Sequence, residues 1–262
     1  MNSSRCSELG AVLAVVVLLA VAAVPVAAVS VNGDAPSTAQ VGEQQSTTFE
    51  VTEPFSDYEE WTLRGETDLT EVTWQVTTFD NAGNQVNQET LTGQEMTYDL
   101  QASSGVTRVE VRIEGTTPQA SAFEWDYPDT AVTYASFEQT QEGGSTNPLT
   151  TYETRPYTSE SEGAYAAIAD AEDAVDSAQS QGAGVSGAES DLEDAVEFYN
   201  SGNFEQAVSN AEEAESAASS AVSSAQRTQL LLYGGVGLVA VLLIAGAAYW
   251  YSQQQDSYDK LG

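Results

Sequence analysis

The spacing of apolar residues changes once along the chain, from alternation to a helical repeat, so one type of layer cannot hold it all. Between about Ser46 and Glu142, apolar and polar residues alternate: Val109, Val111 and Ile113 stand against Arg108, Glu110 and Arg112. Seven or eight short segments read as strands, TTFEVTE, EEWTLRGE, EVTWQVTTF, NQETLTG, MTYDL, VTRVEVRIEG, SAFEWDY and AVTYASFEQ, with turn sequences such as DNAGN and SSG between them. This pattern predicts an antiparallel β-sandwich over 46–142, preceded by a flexible segment at 29–45.

Residues 143–160, rich in Gly, Pro, Ser and Thr, read as a linker. Beyond it the repeat is helical. Ala164, Ile168, Ala171, Val175 and Ala178 recur every three or four residues, as do Val185, Ala188, Leu192, Ala195 and Tyr199. Phe204, Ala207, Ala211, Ala214, Ala218, Ala221 and Ala225 continue the pattern with heptad spacing. Ser159 with Glu162 and Ser186 with Glu189 have the spacing of capping boxes, and Gly182, Gly184 and Gly202 fall in the breaks. An Ala-rich helical hairpin or three-helix bundle over 161–228 follows. Its alanine seam lets helices approach closely while each contact buries little area.

Two apolar runs flank this middle region. Leu230 to Tyr251 carries no charge, is long enough to cross a bilayer as a helix, and has Tyr233 near one end and Trp250 and Tyr251 at the other, where aromatic rings favour the membrane interface. The expectation is a transmembrane helix over 229–251 containing Leu230, Tyr233, Gly237, Trp250 and Tyr251, followed by a cytoplasmic tail at 252–262. The start, with Arg5 before an apolar stretch and Val26-Ala27-Ala28 after Pro25, reads as a signal peptide over 1–28. Together these predict a single-pass protein of the cell membrane, N-terminus outside and C-terminus cytoplasmic.

Charge narrows the partners. Forty Asp and Glu face seven Lys and Arg, with no His, for a net charge of −33. The acids are spread along the middle region, and 161–226 holds fourteen of them without one Lys or Arg. Such a surface repels itself in dilute salt and is screened in brine. The same field argues against nucleic acid as a partner.

Several segments resemble known families. VTWQVTTFDNAGN followed by GVTRVEVRIEG resembles immunoglobulin-like surface domains, in which a strand runs into such a hairpin. AVEFYNSGNFEQAVSNAEEA, with Tyr199, Gly202, Phe204, Ala207 and Ala211 in step, is similar to one tetratricopeptide hairpin, a family whose tandem copies form a peptide-binding groove. The whole arrangement, with its dense carboxylates and near absence of lysine, looks like halophilic archaeal single-pass cell-surface proteins. The resemblance implies a multidomain β + α membrane protein with an immunoglobulin-like antiparallel β-sandwich, a helical hairpin or three-helix bundle and a C-terminal transmembrane helix.

Catalytic chemistry finds little purchase. Without His there is no Ser-His-Asp triad and no imidazole metal site, and the one Cys, Cys6, precedes the apolar core of the leader. No catalytic residue, metal ligand or cofactor site is expected. DNAGNQVNQE lacks the acid spacing of a calcium loop and reads as a hairpin turn. Trp61, Trp125, Tyr127 and Tyr134, all on expected strands, are the candidates for binding a partner or stacking on a sugar. The function expected is a non-catalytic, membrane-anchored cell-surface protein that presents a β-sandwich on a helical stalk to another envelope protein or a glycan, or serves as an accessory subunit of a surface complex. The alternative is a carboxylate-dependent, glycosidase-like envelope hydrolase, built on pairs such as Glu59-Glu60 or Glu124 with Asp126.

Overall fold

The computed structural model describes residues 28–141 and 143–255, with the side chains of 228–240 and 248–255 outside that description. The chain forms two compact units. The first runs to Gln119 and resumes over Ala131–Pro156; the second takes Ala120–Thr130 and everything from Tyr157 onward. The chain therefore leaves the first unit for eleven residues and returns to it.

The first unit holds β1 (Ser30–Asn32), β2 (Thr38–Gln40), β3 (Gln44–Thr52), β4 (Glu60–Glu66), β5 (Thr70–Asp80), β6 (Gln85–Thr92), β7 (Glu95–Gln101), β8 (Val106–Thr116), β9 (Val132–Thr140) and β10 (Thr146–Tyr157). They form two five-stranded sheets, ordered β1-β3-β8-β5-β6 and β2-β10-β9-β4-β7. Alternation decides which side chains meet. Phe49, Trp74, Val76, Val111 and Ile113 point inward from one sheet and Trp61, Leu63, Tyr134 and Phe137 from the other, all essentially inaccessible to water. Phe137 bridges the sheets, with ring centroids 5.1 Å from Phe49 and 6.2 Å from Trp74 in edge-on contact. Room for the indole comes from Gly65, where an added Cβ would lie 2.9 Å from Met96 and 3.4 Å from Trp74.

Three expectations change here. Residues 29–45 are not a free segment: they contain β1, β2 and the start of β3, with Val31 and Ala39 buried. Strands of three residues are too short to show a period. Nor is 143–160 a linker, since β10 occupies 146–157 between β9 and β2. Its prolines are tolerated because β2 covers only three residues and the Pro148 side coincides with a register shift, so the missing N–H groups cost few ladder bonds. SAFEWDY is not a strand but a short 3-10 turn at Ala120–Ala122 and an irregular segment belonging to the second unit.

The second unit contains α1 (Ser159–Ser180), α2 (Ser186–Asn200) and α3 (Phe204–Gln255). The seams are as spaced: Ala164, Ile168, Ala171, Val175 and Ala178 of α1 face Ala188, Ala195 and Tyr199 of α2 and Ala207, Ala211, Ala214 and Ala218 of α3 in two buried clusters. The N-terminus of α1 is capped by Thr158 and Ser161 rather than Ser159 and Glu162, each side chain bonding the other's backbone N–H. Val185 precedes α2 without a side-chain cap, so Ser186 is a helical residue.

α3 continues without a break through the apolar run. Among the described residues no helix is long and apolar enough to cross a membrane. That corrects the transmembrane helix at 229–251, the single-pass membrane location and the cytoplasmic tail at 252–262. Of Leu230, Tyr233, Gly237, Trp250 and Tyr251 only the helical backbone is described, and the expected signal peptide up to residue 27 lies outside the described residues.

Candidate functional site

The four candidate aromatics separate into two pairs. Trp61 and Tyr134 are interior residues of the sheets, 2% and 0% exposed, and their polar atoms are committed inside: Trp61 Nε1 donates to the Pro54 carbonyl at 2.6 Å, and Tyr134 shares a hydrogen bond with Thr47 at 2.8 Å. Burial raises the Tyr134 hydroxyl above its ordinary pKa. Neither ring is available to a partner.

Trp125 and Tyr127 sit on the helices instead. The Trp125 ring lies edge-on to Phe204 at 5.0 Å and to Tyr199 at 5.9 Å; Tyr127 packs on Tyr165 at 5.0 Å and Tyr199 at 5.7 Å. Asn200 Oδ1 accepts from the Tyr127 N–H at 2.7 Å, and the Tyr127 hydroxyl donates to Glu172 at 2.9 Å. Burial, then the Glu172 hydrogen bond and charge, push the Tyr127 hydroxyl well above the usual tyrosine range. Gly202, at φ +77°, ends the α2 turn in a conformation that favours glycine, and an added Cβ there would stand 3.6 Å from Trp125. The tetratricopeptide-like hairpin is thus covered by the chain's own segment.

The open surface of the first unit lies elsewhere. At one side both sheets end on three-residue strands, β1 and β2; at the other they end on β6 and β7, eight and seven residues long. Seven of the eight β6 residues are exposed, Leu91 being half-buried, and among the described residues β6 pairs only with β5. Asn87 opposite Thr78 and Gly93 beyond the strand both turn their N–H toward β5, to Thr78 Oγ1 at 3.1 Å and the Val72 carbonyl at 3.1 Å. Strand alternation between those two points directs the N–H and C=O groups of Gln88, Thr90 and Thr92 outward. Inside the seam Asn87 Nδ2 donates to the Tyr98 hydroxyl of β7 at 3.0 Å, beside a groove of about 170 Å³ lined by Val86, Asn87, Tyr98 and Asp99. Glu89 pairs with core-facing Val76 and so projects on the interior face of the edge.

A second groove, about 380 Å³, is lined by Glu66, Asp68 and Glu95 with Thr133, Ser136 and Thr151. Its acids are already engaged: Glu66 and Glu95 with Arg64, Asp68 as acceptor of the Thr133 N–H at 2.6 Å. Among the described residues no group of three or more acids, His or Cys is placed to hold a metal ion. The loop DNAGN is a turn: Asp80 Oδ1 accepts from the N–H groups of Ala82 at 2.9 Å and Asn84 at 2.8 Å.

Sequence reasoning passed over Asn87, Glu89, Thr90 and Tyr98. The available signal was composition, since QVNQETLT has two apolar residues in eight and is wet on both faces, as an edge strand is.

Fold and surface together define a two-unit protein, a double-sheet unit and a three-helix unit, in which the sheets end on the long edge strands β6 and β7. No protein-family model matches the chain, and no curated protein matches it. Among solved structures, the chain is similar to a DUF4466 family protein from Parabacteroides merdae, at 13% identity over 51% of this chain and 45% of that one, with a TM-score of 0.31. It is also similar to a mutant of the SrpA adhesin from Streptococcus sanguinis, at 16% identity over 52% of this chain and 62% of the other, with a TM-score of 0.25. The match thus spans less than two thirds of either structure's length. Likenesses this distant carry no functional argument.

Proposed function

We propose that the chain is a non-catalytic interaction protein, in which the double-sheet unit binds a partner such as another envelope protein or a glycan, alone or as an accessory subunit of a complex. The observation that carries this reading is β6: one long side of a well-packed unit ends in a strand exposed along nearly its whole length, whose outward backbone donors and acceptors meet no further strand among the described residues. Natural sheets blunt such edges unless something covers them, and the opposite side of this unit is blunted by its short β1 and β2. Trp61 and Tyr134, the sheet aromatics expected to serve a glycan site, are interior, which favours a backbone-reading partner over a sugar.

The test is a photo-cross-linking residue at Thr90 of the full chain in intact cells, with Asn32 on β1 as the control position. A defined adduct from Thr90 and none from Asn32 supports the reading. Equal labelling from both positions, or none from either, removes it.

A further inference from the structure

We propose that β6 receives its partner by strand addition, and that the partner is an extended segment carrying a basic side chain where it passes Glu89; this rests on the reading of β6 as the binding surface. Three observations lead there. The outward N–H and C=O groups of Gln88, Thr90 and Thr92 form the row that a further antiparallel or parallel strand requires. The next strand's side chains would lie beside those of β6, so one of them falls next to Glu89 on the interior face. From Asp80 to Gln101, through β6, its turn and β7, the chain has four acids and no Lys or Arg, so the edge itself offers Glu89 no cation.

The charge also decides between occupants. A second copy pairing through β6 about a two-fold axis near Glu89 would set like charges side by side, within molecules of net charge −33. A cationic extended segment meets neither obstacle. It also supplies the counter-charge that an acid on the interior face of an edge strand otherwise lacks.

The experiment uses the full chain and short fluorescent peptides of alternating Val and Thr with one central Arg, together with a counterpart carrying Glu in its place. Two further Arg peptides are N-methylated on alternate residues, one set on each edge. The Arg peptide binds, and the Glu peptide binds about fivefold more weakly or worse. Methylation of one edge abolishes binding while methylation of the other spares it, because an added strand bonds through alternate residues only. Amide exchange slows at Gln88, Thr90 and Thr92, and Glu89→Arg reverses the preference between the Arg and Glu peptides. Equal binding of the two peptides, tolerance of both methylation patterns, or unprotected amides at those three residues overturns the proposal. Protection that grows with protein concentration and needs no peptide assigns the edge to a second copy and overturns it too. A Thr90 cross-link that persists when no peptide binds leaves β6 as a binding surface and eliminates strand addition; loss of both eliminates both.

Discussion

In the double-sheet unit the interior is made of large side chains, Phe49, Trp61, Trp74, Tyr134 and Phe137, interlocked across two sheets, whereas the helical unit closes mainly on alanines. The surfaces differ as much. Three arginines of the sheets are each flanked by acids: Arg64 by Glu66, Glu95 and Glu138, Arg108 by Glu50 and Glu110, and Arg112 by Glu114. The helices over 161–226 have fourteen acids and no base at all. Large buried area tolerates a partly neutralised surface; small buried area under unrelieved repulsion depends on the solvent to screen it. The aromatic end around Tyr199 is the exception in the helical unit, and part of it is lent by residues 120–130.

The largest expected effect is therefore a loss of stability at low salt in the helical unit that the double-sheet unit does not share. As salt falls from molar to tenth-molar, the Debye length grows from about 3 Å to about 10 Å and the helical acids begin to repel across the bundle. Helical circular dichroism falls while slow amide exchange in β3, β5 and β8 persists. Simultaneous loss of both signals would mean that the contrast between the units has no energetic content.

Next comes the large-residue interior itself. Trp74→Ala opens a cavity against Phe137 and Gly65 and strands the Gly93 carbonyl that accepts the Trp74 Nε1 hydrogen at 2.9 Å. A loss of about 3–5 kcal/mol is expected by denaturant titration. Trp125→Ala removes a half-buried ring from Phe204 and Tyr199 and costs about 2 kcal/mol, felt in the helical unit. If the Trp125 variant instead weakened the sheets and spared the helices, the assignment of 120–130 to the helical unit would fail.

The fate of that segment shows what was legible in the sequence. Half-buried strands such as β5 and β8 announce themselves because one face is wet, and the helical seams do so for the same reason. Phe123, Trp125 and Tyr127 alternate with Glu124 and Asp126 as a strand does, because an extended segment lying on helices also has one covered side. Alternation reports a half-covered extended chain and does not say what covers it. β10 was hidden by its prolines, which are turn signals unless a strand's outer side is mostly unpaired. The exposure of β6 depends on strand order, a long-range property that no local pattern encodes, although its polar composition was visible.

A smaller effect tests the hold of 120–130 on the helices. Tyr127→Phe deletes the bond to Glu172 and costs about 0.5–1 kcal/mol, near the low end because the pair is exposed. Its folded-state pKa is raised by burial first and by Glu172 second, so the stabilisation is fully present below the ordinary value of 10 and is lost as pH rises through the higher folded value. Tyr134, also raised, is present in both proteins, so the difference between them isolates Tyr127. The gap between wild type and variant should narrow and then reverse in strong alkali; a gap independent of pH would show the hydroxyl to be idle.

The smallest effect lies at the β5–β6 hairpin, and it bears on the open edge. Asp80 lies at the surface, where the Asn84 side chain, then the Asn84 backbone N–H and lesser donors at Ala82 and Gly83, hold its carboxyl below the usual value of 3.8. A depressed pKa means that the stabilisation is present above the ordinary value and disappears as pH falls through the lower folded one. Asp80→Ala should therefore lower the melting temperature slightly at neutral pH, speed amide exchange at Ala82 and Asn84, and make no difference in acid, where the wild-type carboxyl is protonated. Because this turn sets the register of β6 on β5, the variant should also loosen Gln88 and Thr90 while leaving Phe49 and Val111 unaffected. A variant that disturbed all four alike would place the turn in the core of the unit rather than at its open side, and the contrast between a firm interior and an available edge would have to be given up.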